Sequence, residues 1–143
     1  MMPKFSSPQK RAVRQLLSML PNRRDVSDKA VAFLLGYVAF EAQARKIWHY
    51  YRCRKRAISE SRAGIPLDVL SNATEYFEMN VERAQLELLL ASSMDKRGQK
   101  SARNLRNGMV HQWRKEDCQE AARRYEEFER AFCHVEAALT RTT

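Results

Sequence analysis

Apolar residues recur at helical spacing along most of the chain, and the longest such segment runs from about Ser27 or Asp28 to about Ile58. This segment carries two apolar stripes, where a surface helix carries one. Apolar side chains over more than half of a helix are typical of a central helix that packs on several neighbours. The two stripes are Val31, Leu34, Leu35, Val38 and Ala42, and Phe33, Tyr37, Phe40, Ala44, Ile47 and Tyr51.

Two signals predict further helices on either side of this segment. Ser7 followed by Pro8 has the order typical of an N-cap and a first helical residue, and it predicts a short basic helix through about Leu20. After the central helix, the stretch S-R-A-G-I-P predicts a loop, and Pro66 can begin another helical stretch.

The second half of the chain predicts three more helices, because its apolar residues also repeat at helical spacing. The first runs from about Thr74 to Ala91, the second occupies the stretch 101–113, and the third runs from about Glu116 to Leu139. We therefore predict an all-α protein with a single domain over 1–143, an antiparallel bundle of four main helices plus a short helix. The apolar positions of the first and last of these helices are Phe77, Val81, Ala84 and Leu88, and Ala121, Tyr125, Phe128, Phe132, Val135 and Leu139.

The composition agrees with a helical protein, since only four glycines and four prolines occur among 143 residues. No run of about 18 apolar residues exists and the N-terminus has no apolar stretch, so we expect neither a membrane span nor a secretion signal. Three cysteines without a C-x-x-C pair argue against a disulfide framework and a zinc site. We expect a cytoplasmic protein that uses no metal and no cofactor.

The net charge of +9 is unevenly distributed, since residues 1–56 hold 13 Lys and Arg against 3 Asp and Glu, and residues 57–143 hold 13 against 14. Binding of a polyanion should therefore depend on the first part of the chain. That part ends in W-H-Y-Y-R-C-R-K-R, where aromatic residues alternate with cations that could hold RNA. An aromatic core stripe with a solvated basic end is the other interpretation. The candidate RNA-binding cations here are Arg52, Arg54, Lys55 and Arg56.

The stretch S-A-R-N-L-R-N-G-M-V-H-Q-W, residues 101–113, combines an apolar face with an unusual set of polar groups. On an ideal helix of about 100° per residue, Arg106 falls within the arc of apolar residues, whereas Asn104, Asn107 and His111 fall on the opposite side. A guanidinium on an apolar face is costly unless it is paired or reaches water. A candidate partner is Glu41, which borders both stripes of the central helix and could also pair with Arg45 one turn later.

The hexapeptide R-N-G-M-V-H, Arg106 to His111, resembles the R-x4-6-H motif of HEPN domains. Its context, K-R-G-Q-K-S-A-R-N-L-R-N-G-M-V-H, looks like the loop and motif helix of the RiboL-PSP-like branch of that family. The resemblance in length, helical content and motif position covers most of the chain. It implies a HEPN-like fold and a metal-independent endoribonuclease that acts as a homodimer with a composite active site. It also implies a toxin or host-defence effector whose partners are RNA and an antitoxin or immunity protein.

The resemblance assigns roles to particular residues. Arg106 would stabilise the phosphorane, His111 would act as general acid and base, and Asn107 would orient the histidine or the phosphate. Glu41 would match the acidic residue that some HEPN families carry on an earlier helix, with Arg45 beside it. The residue types suit the chemistry. An imidazole has an ordinary pKa of about 6.5 and can exchange protons near neutral pH, whereas a guanidinium stays charged.

Two further residues and one departure complete the comparison with the family. Arg103 and Asn104 flank the motif and could contact the RNA backbone. In one toxin branch a tyrosine two residues after the histidine is modified by a partner nucleotidyltransferase, and here that residue is Trp113. We therefore do not expect regulation by that modification.

The helical wheel raises a difficulty, because Arg106 and His111 lie about 140° apart on an ideal helix. The long arginine side chain could wrap part of that angle, Gly108 could loosen the helix, or two copies of the chain could share one cleft. We favour two copies, since a twofold dimer sets both motif helices side by side.

Other functions remain open at this level. Arg106 and His111 could be an arginine that reaches water from an apolar face and a histidine that simply faces solvent. The chain could be a non-catalytic HEPN-like module that binds RNA or protein and dimerises, or an architectural protein whose basic charge serves solubility.

Overall fold

The computed structural model describes residues 10–11, 14–15, 27–55, 67–95, 97–111 and 114–140. Within these ranges the chain forms helices and no strands, which confirms the all-α class for the described residues. The central helix begins at Asp28, which confirms the start predicted at Ser27 or Asp28. In chain order the helices are α1 (Asp28–Lys55), α2 (Leu67–Tyr76), α3 (Arg83–Leu90), α4 (Ala102–Val110), α5 (Lys115–Arg123) and α6 (Tyr125–Thr140).

Helix α1 is the centre of the fold and packs against α2, α4, α5 and α6. The hydroxyl oxygen of Ser27 accepts a hydrogen bond from the amide of Ala30 at 3.3 Å, as an N-cap does. The predicted stripe that begins at Phe33 is buried up to the half-buried Tyr51. The stripe that begins at Val31 is half-buried, apart from the buried Leu34 and the exposed Ala42. The expectation of a central helix is therefore confirmed.

Five aromatic rings from α1 and α6 form the middle of the core. Neighbouring centroids in this group lie between 5.2 and 6.5 Å apart, the range in which aromatic rings attract each other. Gly36 makes the close approach possible, because a Cβ at this position would lie 2.8 Å from a carbon of the Phe132 ring. The five rings are Phe33, Tyr37, Phe40, Phe128 and Phe132.

The predicted single helix from Thr74 to Ala91 is wrong, because the chain forms two helices, α2 and α3, over this region. Between them Glu78 has a φ of 55°, and the amide of Met79 donates to the Thr74 carbonyl at 2.9 Å. Phe77 and Val81 pack against the core from this non-helical segment. These two residues are four positions apart, as on one face of a helix, but here the segment between two helices buries them at that spacing.

The predicted last helix is also interrupted, at Arg124, whose ψ of 15° departs from helical geometry. The side chain of Arg124 is buried, and its Nη1 donates to the carbonyl of Lys100 at 2.7 Å. Its guanidinium also lies 4.6 Å from the centre of the Phe128 ring. The interruption between α5 and α6 therefore accompanies an arginine that anchors the loop before α4.

The remaining predictions about organisation have different outcomes. The helical stretch expected after Pro66 is present as α2. Most of the predicted basic helix from Ser7 to Leu20 lies outside the described residues, as does the chain from 56 to 66. No helix in the described ranges is long and apolar enough to cross a membrane. The described helices share one hydrophobic core.

We expect Phe33→Ala to lower the free energy of unfolding by about 3–5 kcal/mol, because Phe33 is fully buried and contacts three other rings. Urea denaturation followed by far-UV circular dichroism measures this loss. Phe77→Ala is the matched control and should cost clearly less, since Phe77 is half-buried. Equal losses for both variants would contradict the central position of the aromatic group.

Candidate active site

The motif helix α4 is fixed at its N-terminus by Ser101. The Ser101 hydroxyl donates to the carbonyl of Ala91 at 2.6 Å and accepts a hydrogen bond from the amide of Asn104 at 3.2 Å. At the other end, the amide of His111 donates to the carbonyl of Asn107 at 2.8 Å. His111 is therefore the C-terminal cap of α4, and its side chain is exposed. The helix buries one face through Ala102, Leu105, Gly108, Met109 and Val110.

Arg106 and His111 meet within one chain. The Nη1 atom of Arg106 lies 3.3 Å from Nε2 of His111 and donates to Oδ1 of Asn107 at 3.0 Å. The arginine side chain therefore spans the angle that separates the two positions on an ideal helix. The two copies of the chain that we favoured are therefore not required to bring these two side chains into contact, and a cleft shared by two copies stays a prediction. The geometry selects the alternative in which the long side chain wraps round the helix.

Glu41 pairs with Arg45, as their spacing predicts, through an Oε1–Nε distance of 3.6 Å. Arg106 makes its side-chain hydrogen bonds to Asn107 and His111 instead, and it forms no ion pair with a described carboxylate. The sharing of Glu41 between the two arginines, which the wheel suggested, is therefore not found in the described part of the chain. The Nε atom of Arg106 is buried and has no hydrogen-bond partner among the residues that the structure describes.

Tyr37 connects α1 with the motif helix and was not among the predicted site residues. The guanidinium carbon of Arg106 lies 5.9 Å from the centre of the Tyr37 ring. Burial raises the pKa of the Tyr37 phenol, and the charge of Glu41 raises it further, whereas Arg106, Arg103 and Arg45 lower it. Glu41 and the three arginines therefore all act electrostatically on one buried phenol.

The predicted site residues thus form one group around Tyr37 and the end of α4. Arg106, Asn107 and His111 are in direct contact, and Glu41, Arg45 and Arg103 each affect the pKa of Tyr37 through their charge. Asn104 is close by on α4, but its amide nitrogen already donates to the carbonyl of Ser92 at 3.2 Å. The sequence could have indicated that Tyr37 lies beside the site, because Tyr37 precedes Glu41 by one helical turn on α1.

The predicted RNA-binding cations at the end of α1 are separate from this group. Arg52 follows Glu41 by eleven residues, about 16 Å along a helix. Its guanidinium lies 5.4 Å from the centre of the Trp48 ring, and Trp48 itself is buried. The aromatic residue therefore belongs to the core, in line with the core-stripe interpretation. The side chains of Arg54 and Lys55, and the whole of Arg56, lie outside the described residues.

Gly108, in the middle of the motif, allows α5 to approach α4. A Cβ at Gly108 would lie 1.6 Å from Oδ2 of Asp117, which is buried. The other carboxylate oxygen of Asp117 accepts a hydrogen bond from Nζ of Lys100 at 2.8 Å. Asp117 thus sits against the motif helix where only glycine leaves room. Its role was not predicted, because Asp117 and Gly108 belong to different helices.

A cavity of about 590 Å³ lies at the opposite end of the motif helix. Its lining includes Ser92, Arg97, Lys100 and Ser101, and none of the three motif residues that contact one another. Ser101 caps the start of α4, ten residues before His111, which corresponds to about 15 Å. The cavity is therefore distinct from the site at the end of α4.

No group of three His, Cys, Asp or Glu side chains that could hold a metal ion occurs in the described ranges. Of the three cysteines, Cys53 is exposed, Cys118 is buried and Cys133 is half-buried.

Comparisons with known proteins give no match to this chain, whether to a family model, to a curated protein or to a solved structure. The function is therefore inferred from the residues of the site and their geometry.

We expect Gly108→Ala to destabilise the protein by about 1–3 kcal/mol, because the new methyl group overlaps the Asp117 carboxylate. In an Asp117→Ala background the same change should cost much less, since only the Cβ of residue 117, at 3.3 Å, stays close to the new methyl group and alanine is the better helix former. Urea unfolding of the four proteins gives the coupling between the two positions. An equal cost of Gly108→Ala in both backgrounds would show that the contact with Asp117 is not what requires glycine.

Proposed function

We propose that this chain is a metal-independent endoribonuclease of the HEPN type that needs no cofactor. The observation that carries the proposal is the contact of a guanidinium with an imidazole at the end of the motif helix, with Arg106 Nη1 3.3 Å from His111 Nε2. Asn107 holds the same guanidinium nitrogen from the side at 3.0 Å. A fixed cation beside a proton acceptor is what RNA cleavage by its own 2′-hydroxyl requires.

The proposed reaction uses the ribose hydroxyl of the substrate as the nucleophile. A bond forms between the 2′-oxygen and the adjacent phosphorus, and the bond from phosphorus to the 5′-oxygen breaks. The products are a 2′,3′-cyclic phosphate and a 5′-hydroxyl, so the 2′-oxygen loses one proton and the 5′-oxygen gains one. His111 accepts or supplies one of these protons, and Arg106 offsets the negative charge that develops on the phosphorane.

Nε2 of His111 is the atom that contacts Arg106, and it is also the atom that would act as the general base. A guanidinium carries only donors, so the 3.3 Å contact is a hydrogen bond only when Nε2 of His111 carries no proton. The exposure of the imidazole lets a substrate reach the same nitrogen. An incoming phosphate would then attract Arg106, and the freed Nε2 could take the proton of the 2′-hydroxyl.

RNA as the partner is supported by the basic charge of the first 56 residues and by the three arginines whose charges act on Tyr37. The family resemblance further implies a homodimer, a role as a toxin or host-defence effector, and an antitoxin or immunity protein that restrains it. In such a homodimer a second copy of the pair would lie in the same cleft. The second His111 would then serve the proton transfer that the first does not.

We expect purified protein to cleave mixed RNA in the presence of EDTA and to leave 2′,3′-cyclic phosphate and 5′-hydroxyl ends. His111→Ala should remove this activity by at least about a hundredfold, the lower end of what general acid–base catalysis contributes. The variant should keep the far-UV circular dichroism and unfolding midpoint of the parent, because His111 is exposed at the end of α4. Fragment ends are mapped by their susceptibility to phosphatase and kinase.

His49→Ala is the matched control, since His49 is another exposed histidine but lies on α1, outside the site. It should cleave like the parent protein. Cleavage retained by His111→Ala would refute the assignment. RNA that stays intact with the parent protein but binds it with a salt-dependent affinity would instead indicate the non-catalytic binding module.

A further inference from the structure

Tyr37 presents a rigid aromatic surface to the motif helix. Only 3% of its surface is exposed, and its ring is held by Phe33 at 6.5 Å, Phe40 at 5.9 Å and Phe132 at 6.3 Å. The last two contacts are edge-on, so neighbours from both α1 and α6 restrict the tilt of the ring. A ring packed in this way cannot move without disturbing the core.

Arg106 by contrast has few groups to hold it. Among the described residues its guanidinium contacts two polar side chains, those of Asn107 and His111, and both contacts involve the same nitrogen, Nη1. Its Nε is buried and makes no hydrogen bond. Two contacts at one nitrogen leave the guanidinium plane free to turn about them, so something else must fix its orientation.

We propose that Tyr37 is a positioning residue, whose ring face holds the guanidinium of Arg106 against Asn107 and His111. The guanidinium carbon lies 5.9 Å from the ring centroid, within the distance of about 6 Å at which a cation is attracted to an aromatic face. The Nε atom of the same guanidinium is buried and has no hydrogen-bond partner among the described residues, so hydrogen bonds at that atom do not hold the group in place. For its effect on catalysis, though not for its geometry, this inference rests on the proposed ribonuclease function.

The face of the ring, and not its hydroxyl, is the part that acts. Burial raises the pKa of the Tyr37 phenol, so at neutral pH the hydroxyl carries no charge that could pair with Arg106. The ring quadrupole is present in phenylalanine as well. Tyr37→Phe should therefore keep the position of Arg106, and Tyr37→Leu should lose it.

The first measurement is independent of enzyme activity. In the NMR spectrum of the parent protein, we expect nuclear Overhauser effects between the Tyr37 ring protons and the side-chain protons of Arg106. The ring current should also displace the Arg106 Nε–H signal, which is identified by its absence in Arg106→Lys. Tyr37→Phe should keep this displacement, and Tyr37→Leu should return the signal toward its unperturbed position. Absence of the Overhauser effects from the parent protein would overturn the inference even if Tyr37→Leu failed to fold.

The second measurement is the rate of RNA cleavage. Tyr37→Leu should lower kcat between about threefold and thirtyfold, the range that the loss of one cation–ring contact corresponds to, with little change in KM. Tyr37→Phe should stay within about twofold of the parent protein. Phe128→Leu is the matched control: it removes a core ring that holds another arginine, Arg124, outside the site. It should lower stability and leave kcat unchanged.

The two measurements separate failure of the inference from failure of the proposed function. If the parent protein cuts no RNA, and the displacement of the Arg106 Nε–H signal is lost in Tyr37→Leu, the ribonuclease proposal is contradicted and the positioning role is upheld. A parent protein that cuts RNA equally well with leucine at position 37 would overturn the catalytic half of the inference. Equal losses of kcat in Tyr37→Leu and Phe128→Leu would mean that the effect comes from core stability alone.

Discussion

A guanidinium is too costly to leave unpartnered inside an apolar core, and this cost determines the arrangement of the site. Arg106 starts on the side of α4 that carries Leu105 and Met109, both fully buried. Its side chain leaves that face by wrapping round the helix until Nη1 reaches Asn107 and His111 at the exposed end. The carbon of the same guanidinium lies 5.9 Å from the centre of the Tyr37 ring, an apolar surface that attracts a cation. The unfavourable position of Arg106 on α4 thus leads to its contact with His111, which the proposed chemistry uses.

Two glycines allow the helices around the site to pack closely. Phe132 packs between the rings of α1 because Gly36 has no side chain, and this contact helps to hold Tyr37 in place. On the other side of α4, Gly108 lets the Asp117 carboxylate approach the motif helix, which sets α5 against it. Each glycine lies at a close approach of two helices. The site therefore depends on residues that would make no contact with a substrate.

Much of the fold and part of the site could be predicted from the sequence, and the failures have physical causes. The periodicity from Val31 to Tyr51 predicted the buried faces of α1, because a long helix repeats its burial pattern many times. The same reasoning failed at the non-helical segment 77–82 and at Arg124, where the backbone leaves helical geometry although the apolar spacing continues. The motif residues were found because they are close in sequence. Tyr37 and Asp117 were missed because their importance lies in contacts between helices, which periodicity does not report.

The pairing of Arg106 with His111 inside one chain changes what a second copy of the chain would contribute. If the two groups met only across an interface, a monomer would lack the site altogether. Here one chain already holds the guanidinium beside the imidazole, and Asn107 on the same helix accepts a hydrogen bond from that guanidinium. RNA cleavage by the 2′-hydroxyl needs two proton transfers on opposite sides of the phosphorus, and one exposed imidazole serves one of them at a time. A homodimer of this protein would therefore double a complete pair, and its advantage would lie in the second proton transfer.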